Sequence, residues 1–88
     1  PLCQINYAEV NSNYITIHSQ QTITLKMTLS ELEKKLDSHF FRAGRSALVN
    51  LKKISRVTKK EIYLQDGSII PLPRGAYEKV NRAIINMD

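Results

Sequence analysis

The chain has little of what stabilises secreted domains or anchors proteins in membranes. Its 88 residues include a single cysteine, Cys3, which excludes an internal disulfide framework. No apolar run approaches the roughly 20 residues that cross a bilayer, and no signal peptide is visible. Because the first residue is Pro1 rather than Met, we interpret residues 1–88 as one domain cut from a larger protein. These absences favour a cytoplasmic domain that makes no membrane contact and carries one incidental thiol.

Groups suited to catalysis or metal binding are also scarce. The two histidines, His18 and His39, have no cysteine or serine partner at a meaningful spacing, and with Cys3 they do not complete a zinc site. The three glycines are scattered, so they form no phosphate-binding loop. We therefore expect no enzyme activity, no cofactor and no bound metal.

Acidic residues are missing where basic residues are concentrated. Thirteen Lys and Arg face eight Asp and Glu, which gives a net charge of +5. Residues 42–60 contain no acid, whereas residues 1–25 contain only one charged side chain, Glu9. Clustered positive charge attracts a polyanion, most often nucleic acid. An anionic membrane is the rival partner, but it usually needs a basic amphipathic helix, and this segment has the pattern of strands and turns.

Alternating and β-branched residues predict a mainly β fold with small helices. Residues 3–8, 14–18 and 22–27 have the pattern of three strands in a meander, with a loop at residues 10–13. Asp66-Gly67 is a strong hairpin signal between two later strands. Further extended segments are predicted at residues 40–43, 56–58, 61–64 and 69–72, with a turn at Lys59-Lys60.

Local signals also predict the helices and one sheet edge. Thr28 and Glu31 form a capping box at the start of a helix, and Asn50 can cap a single helical turn. Helical spacing of apolar residues predicts a closing helix over residues 76–86. Pro71 and Pro73 lack N–H groups on the same side of their strand, so we expect that strand at the edge of a sheet.

Motifs along nearly the whole chain resemble those of the LytTR DNA-binding domain. They occur in the order and spacing of that family: Tyr7-Ala8-Glu9, Asn13-Tyr14, residues 28–36, Phe40-Phe41-Arg42, Arg45-Ser46, residues 48–51 with Ile54, Asp66-Gly67, Ile70-Pro71 and Arg74. The resemblance implies an elongated fold of short strands, with one helix after the first meander and one C-terminal helix. It also implies transcription regulation by loops that enter successive major grooves of bent double-stranded DNA, usually at direct repeats near a promoter.

The resemblance and the chemistry of the side chains together indicate the candidate DNA contacts. Arginine can donate two parallel hydrogen bonds to guanine, so we expect Arg45 and Arg74 to contact bases, together with Asn13. The expected backbone contacts are Asn11, Ser12, Arg42, Ser46, Lys52, Lys53, Lys59 and Lys60. Where many relatives carry a polar residue or histidine, this chain has Gly44, so any contact from that side chain is absent.

Several alternatives stay open for these residues. The arginines can be solvated or paired with Glu9, Glu61 or Asp66, the lysines can be merely solvated, and an Asn-rich turn can bond to its own backbone. An RNA or single-strand binding module is the alternative function, with Tyr7, Tyr14, Phe40 and Phe41 as stacking candidates. We favour core positions for Phe40, Tyr63 and Tyr77.

The expected partners follow from the same reasoning. The sequence has no heptad or large apolar stripe for a dimer interface. We therefore expect the isolated domain to be a monomer, and two copies of it to bind DNA that carries repeated sites. A protein-interaction or dimerisation module is the remaining alternative. The resemblance further implies an N-terminal receiver or sensor domain in the intact protein.

Overall fold

Eight short strands and two helices make up residues 4–87, the part of the chain that the computed structural model describes. Cys3, which the sequence places in the first strand, lies outside these residues. In chain order the elements are β1 (Tyr7–Asn11), β2 (Tyr14–His18), β3 (Thr22–Leu25), α1 (Leu29–Lys35), β4 (Phe40–Ala43), β5 (Ala47–Asn50), β6 (Ile54–Val57), β7 (Glu61–Leu64), β8 (Ile69–Pro71) and α2 (Tyr77–Ile85). A 3-10 turn, Leu51–Lys53, joins β5 to β6. The predicted class, mainly β with two helices, is confirmed.

The strands form two antiparallel sheets. The larger sheet has the order β3-β2-β1-β5-β4, and the smaller has the order β6-β7-β8. The first three strands are neighbours in sequence and in space, as the meander predicts. Strand β8 pairs only with β7, which confirms the edge position indicated by the two prolines.

The larger sheet is the central layer because its inner strands bury both faces. In β5, Leu48 packs with Leu29 and Leu32 of α1 on one face. Its neighbours Ala47 and Val49 belong to the second core on the other face. That core is completed by the smaller sheet and α2, which contribute Ile62, Leu64, Ile70 and Val80. Strand residues alternate between faces, so a continuous buried run such as residues 47–50 suits a strand covered on both sides.

The first hairpin is tighter than the sequence indicates. Val10 pairs with Ile15 and Asn11 pairs with Tyr14, so the predicted loop at residues 10–13 shrinks to a two-residue turn. Ser12 carries the bend with a φ of 58°. The loop preference of asparagine is outweighed because pairing with β2 satisfies the backbone groups of β1. The correction moves β1 to Tyr7–Asn11 and gives the strand a polar end.

The local capping predictions are confirmed. The Thr28 hydroxyl accepts a hydrogen bond from the Glu31 N–H, and the Glu31 carboxylate accepts one from the Thr28 N–H, at the start of α1. Asn50 caps the 3-10 turn by accepting a hydrogen bond from the Lys52 N–H. In both motifs the bonded residues are within four positions of each other in the chain, so the motifs depend on local sequence rather than on tertiary packing.

The structure measures 31 × 25 × 24 Å and is longest in one direction. One expectation about packing needs correction. Phe40, Tyr63 and Tyr77 are only half-buried and lie outside both buried clusters, whereas Phe41 packs against the second core. The faces of β4 alternate, so its two neighbouring phenylalanines cannot both face that core.

Candidate nucleic-acid interface

Four loops are linked to one another by a series of contacts, and we call them the loop row. They are the β1–β2 turn (residues 12–13), the β4–β5 turn (44–46), the β6–β7 turn (58–60) and the segment before α2 (73–75). The Val10 N–H donates to the Ser46 carbonyl at 2.9 Å, which joins the end of β1, just before the first loop, to the second loop. The Leu72 N–H donates to the Lys60 carbonyl at 2.8 Å, which joins the last two.

Gly44 and Pro73 connect the two halves of this row. A Cβ added to Gly44 would lie only 2.8 Å from the Pro73 Cγ, so the turn and the proline ring are in direct contact. Arg45 follows Gly44 and Arg74 follows Pro73. Each of the two arginines that the sequence proposes for base contact is therefore adjacent in the chain to one side of this contact, although one follows the larger sheet and the other follows the smaller sheet.

Both of these arginines are exposed and available for a ligand. Among residues 4–87, neither Arg45 nor Arg74 takes part in a side-chain hydrogen bond or a salt bridge. The acids considered as their partners are occupied elsewhere: Glu9 by His18, Glu61 by Tyr63, and Asp66 by Asn6 and Ser68. The pairing alternative is therefore not what this structure shows.

Lys59 and Lys60 form the tip of a well-held turn beside Arg74. The Thr58 hydroxyl accepts hydrogen bonds from the N–H groups of Lys60 and Glu61 at 3.3 and 3.0 Å. Both lysines are exposed and line one groove together with Arg74 and Tyr77. The backbone is fixed while the charged side chains remain in solvent, an arrangement that suits contact with phosphate.

The β1–β2 turn presents Asn13 without an internal partner. Asn11 is exposed and its amide donates to the Thr16 hydroxyl at 2.8 Å, across the hairpin. In the described part of the chain, the Asn13 side chain forms no hydrogen bond, and the residue is exposed. Asn13 is thus available to a ligand, and Asn11 is partly engaged in holding the hairpin.

We expect Asn13→Ala to change DNA sequence preference only mildly, because one amide is lost at the outer end of the loop row while both arginines stay in place. The measurement compares the sites selected by wild type and variant from a random duplex pool. Asn11→Ala serves as a control for loosening of the hairpin. Complete loss of selectivity in Asn13→Ala would show that this turn dominates recognition.

Arg42 is partly exposed, and two of its side-chain nitrogens are bound within the domain. Its Nε donates to the Gly44 carbonyl at 3.2 Å, and its Nη1 reaches Ser30 at 3.2 Å and Glu33 at 3.3 Å. Arg42 pairs with Leu48 in the register of β4 and β5, so its side chain emerges on the face covered by α1. Its main role in this structure is to fasten the β4–β5 turn to that helix.

Lys52 and Lys53 lie at the opposite end of the larger sheet from the loop row. Strand β5 begins at the loop row with Ala47 and ends at Asn50, where the 3-10 turn carries both lysines. The Leu51 N–H donates there to the His39 carbonyl at 2.7 Å. Four strand residues place the two ends about 10 Å apart. The basic segment 42–60 is therefore divided between two ends of the molecule.

A polar cluster on β1 and β2 is satisfied internally. The Glu9 carboxylate lies 2.8 Å from His18 Nε2, and the Tyr7 ring stacks on the His18 ring at 4.3 Å. Burial raises the pKa of the Tyr7 hydroxyl, and the nearby Glu9 carboxylate raises it further, so Tyr7 stays neutral. These three side chains hold β1 and β2 together.

Most of the aromatic side chains proposed for base stacking are occupied. Tyr7 stacks on His18, Phe41 packs against the second core, and Phe40 is half-buried. Arg56, which the sequence does not single out as a site, covers the Tyr63 ring at 4.5 Å from its centroid. Tyr14 is the exception among these residues, with 46% of its surface exposed. This arrangement gives little support to a single-strand stacking platform.

A β-rich domain with exposed basic side chains on loops at one end is typical of a nucleic-acid-binding module. This chain belongs to the LytTr DNA-binding domain family, whose sequence model matches residues 1–85. It is therefore a DNA-binding domain of the kind found in transcription regulators. No helix within residues 4–87 is long and apolar enough to cross a membrane.

Relatives and a solved structure agree with this assignment. Uncharacterized HTH-type transcriptional regulators of Staphylococcus aureus, strains NCTC 8325 and COL, are each 36% identical over 67 residues. Each match covers 70% of this chain and 46% of the relative, so the matched region spans less than half of those proteins. The LytTr DNA-binding domain of a putative methyl-accepting/DNA response regulator from Bacillus cereus has the same fold, with a TM-score of 0.79 at 22% identity. That match covers 99% of this chain and 85% of the other.

Proposed function

We propose that this domain binds double-stranded DNA sequence-specifically through the loop row and so directs a transcription regulator to its promoter sites. The observation that supports this most strongly is the pair of exposed arginines, Arg45 and Arg74, brought together by the contact of Gly44 with Pro73. In residues 4–87, α1 and α2 are separated in the chain by β4 to β8, so recognition rests on loops rather than on a helix-turn-helix pair.

The proposed roles divide by chemistry. Arg45 and Arg74 read bases through bidentate hydrogen bonds, and Asn13 reads a base at the outer end of the row. Contacts that position the DNA backbone come from Asn11, Ser12, Ser46, Lys59 and Lys60. Arg42 adds a phosphate contact through Nη2, since only its Nε and Nη1 are used within the described structure.

The size of the domain supports contact with successive major grooves. Its longest dimension is 31 Å, and one turn of B-form DNA rises about 34 Å. The outer loops reach two grooves if the duplex bends toward the protein. Bending also carries DNA backbone toward Lys52 and Lys53 at the opposite end, and this is how we propose that they contact phosphate.

The proposal extends to assembly. Two copies bind direct repeats near a promoter, and the isolated domain is a monomer. An N-terminal receiver or sensor domain controls it in the intact protein, which acts in the cytoplasm. No catalytic step is part of this function.

Binding should weaken steeply with salt. If about four to six phosphates are neutralised, the logarithm of affinity should fall with the logarithm of salt concentration at a slope of roughly −4 to −5. The expected charges are the arginines and lysines of the loop row, supplemented by Lys52 and Lys53. A duplex titration over increasing salt measures the slope, and a flat response would rule out the electrostatic contribution.

Selection of bound sequences from a random duplex pool tests the proposal as a whole. We expect a defined motif that recurs as a direct repeat. The selected duplex is then competed against single-stranded DNA and RNA of the same sequence. Equal or stronger competition by single strands would favour the RNA or single-strand alternative.

A further inference from the structure

Gly44 occupies a position where a larger residue has no room. Its φ is +75°, in the left-handed region that L-residues rarely adopt. An added Cβ would lie 2.8 Å from the Pro73 Cγ, well inside the roughly 3.5 to 4.0 Å of a normal carbon–carbon contact. Glycine is thus required both for the bend of the β4–β5 turn and for the close approach of the proline ring.

Both sides of this contact are held firmly. On the turn, the Gly44 carbonyl accepts from Arg42 Nε at 3.2 Å, and the Ser46 carbonyl accepts from the Val10 N–H at 2.9 Å. On the other side, the ring of Pro73 fixes its own φ. The Leu72 N–H donates to Lys60 at 2.8 Å, and the Ala76 N–H donates to the Pro73 carbonyl at 3.1 Å. Because neither side yields easily, a change in the contact must shift a whole loop together with its arginine.

We infer that Gly44 and Pro73 are specificity-determining positioning residues, whose contact fixes Arg45 relative to Arg74 and so sets the spacing of the bases that the domain reads. This inference rests on the proposed function, because it assumes that both arginines contact bases. The two residues act through the arginines. Gly44 follows a strand of the larger sheet and Pro73 follows a strand of the smaller one, and their contact is a direct steric link between the β4–β5 turn and the segment that precedes α2.

The experiment measures a specificity ratio, defined as the affinity for the selected duplex divided by the affinity for a random-sequence duplex. Gly44→Ala should lower this ratio about tenfold, which matches the loss of one bidentate arginine–guanine pair. Affinity for the random duplex should change less than about twofold, since phosphate contacts tolerate small shifts. The spacing of preferred bases in newly selected sites should change as well.

A rescue variant and a control separate the contact from backbone strain. Gly44→Ala with Pro73→Ala removes the Cγ that the new Cβ would meet, so the specificity ratio should recover most of its value. Gly67→Ala puts an alanine at a left-handed φ of +94°, and no atom lies within 4 Å of the added Cβ. This variant therefore adds backbone strain without a steric contact. It should lower the melting temperature and leave the ratio unchanged. Pro73→Ala alone adds no atom to the contact and should lower the ratio less than Gly44→Ala.

The outcomes distinguish this inference from the function on which it rests. If Arg45→Ala and Arg74→Ala both leave the ratio unchanged, the proposed base readout is wrong. If those variants lower the ratio but Gly44→Ala behaves like Gly67→Ala, or the double variant fails to recover, the positioning role is wrong. Should Gly44→Ala not fold, Pro73→Ala decides, and a wild-type ratio in that variant would overturn the inference.

Discussion

Arg74→Ala should reduce affinity for the best DNA site by about 1 to 3 kcal/mol, the discrimination of one bidentate arginine–guanine pair. The loss on random DNA should be much smaller. Arg74 follows the edge strand β8 and has no partner among the described residues, so its removal disturbs little of the fold. Arg74→Lys should recover only part of the loss, because lysine lacks the planar fork. Fluorescence anisotropy on a selected and a random duplex measures both affinities.

Matched variants test whether this effect belongs to base readout. Lys59→Ala with Lys60→Ala should weaken both kinds of DNA by similar factors and make the salt slope shallower by about one or two units. Arg82→Ala removes the same charge as Arg74→Ala from the exposed last turn of α2, and it should change binding little. Every variant must melt near the wild-type temperature. If Arg74→Ala weakens specific and random binding equally, Arg74 contacts phosphate or nothing.

Asn50→Ala should lower the free energy of unfolding by about 2 to 4 kcal/mol, a large part of the stability of a small domain. Asn50 is 2% exposed, and its amide donates to the Ile5 carbonyl at 2.8 Å. Its Oδ1 accepts from the Lys52 N–H at 3.0 Å. Truncation to alanine leaves the Ile5 carbonyl and the Lys52 N–H without these hydrogen-bond partners. At about 4 to 8 °C per kcal/mol for a domain of this size, the melting temperature should fall by roughly 10 °C or more.

Asn81→Ala provides the control for a lost asparagine hydrogen bond. The Asn81 amide donates to the Tyr77 carbonyl at 2.9 Å within α2, where water can replace it because the residue is half-buried. Its cost should stay below about 1 kcal/mol. Thermal melting followed by circular dichroism measures both variants. Equal melting of Asn50→Ala and Asn81→Ala would show that the link between the segment before β1 and the 3-10 turn contributes little.

The relation between charge in the sequence and charge in space explains why the candidate DNA contacts do not all lie at one end of the structure. Residues 42–60 form one basic segment in the chain, yet the structure sends Lys52 and Lys53 to the end opposite Lys59 and Lys60. Strand β5 carries the chain away from the loop row, and β6 returns it. Arg42 donates hydrogen bonds to Ser30 and Glu33 of α1. This contact depends on which face of β4 the helix covers.

The sequence by itself determined the features whose interactions span only a few residues. The capping box of Thr28 and Glu31, the cap at Asn50 and the hairpin at Asp66-Gly67 form as predicted. Each needs only neighbouring side chains and a permitted backbone angle. The two prolines also identified the edge strand, because a residue without an N–H group cannot donate a hydrogen bond to a neighbouring strand.

Only the tertiary structure decided which loops meet and how β1 is paired. Asparagine is common in loops, but Asn11 belongs to β1 because it pairs with Tyr14 of β2. The contact of Gly44 with Pro73 depends on how the smaller sheet packs against the larger one. No local sequence pattern around Gly44 or Pro73 predicts that contact, because it is set by the packing of a buried cluster whose residues are far apart in the chain. The arginines that the sequence named therefore lie on neighbouring loops only through this packing.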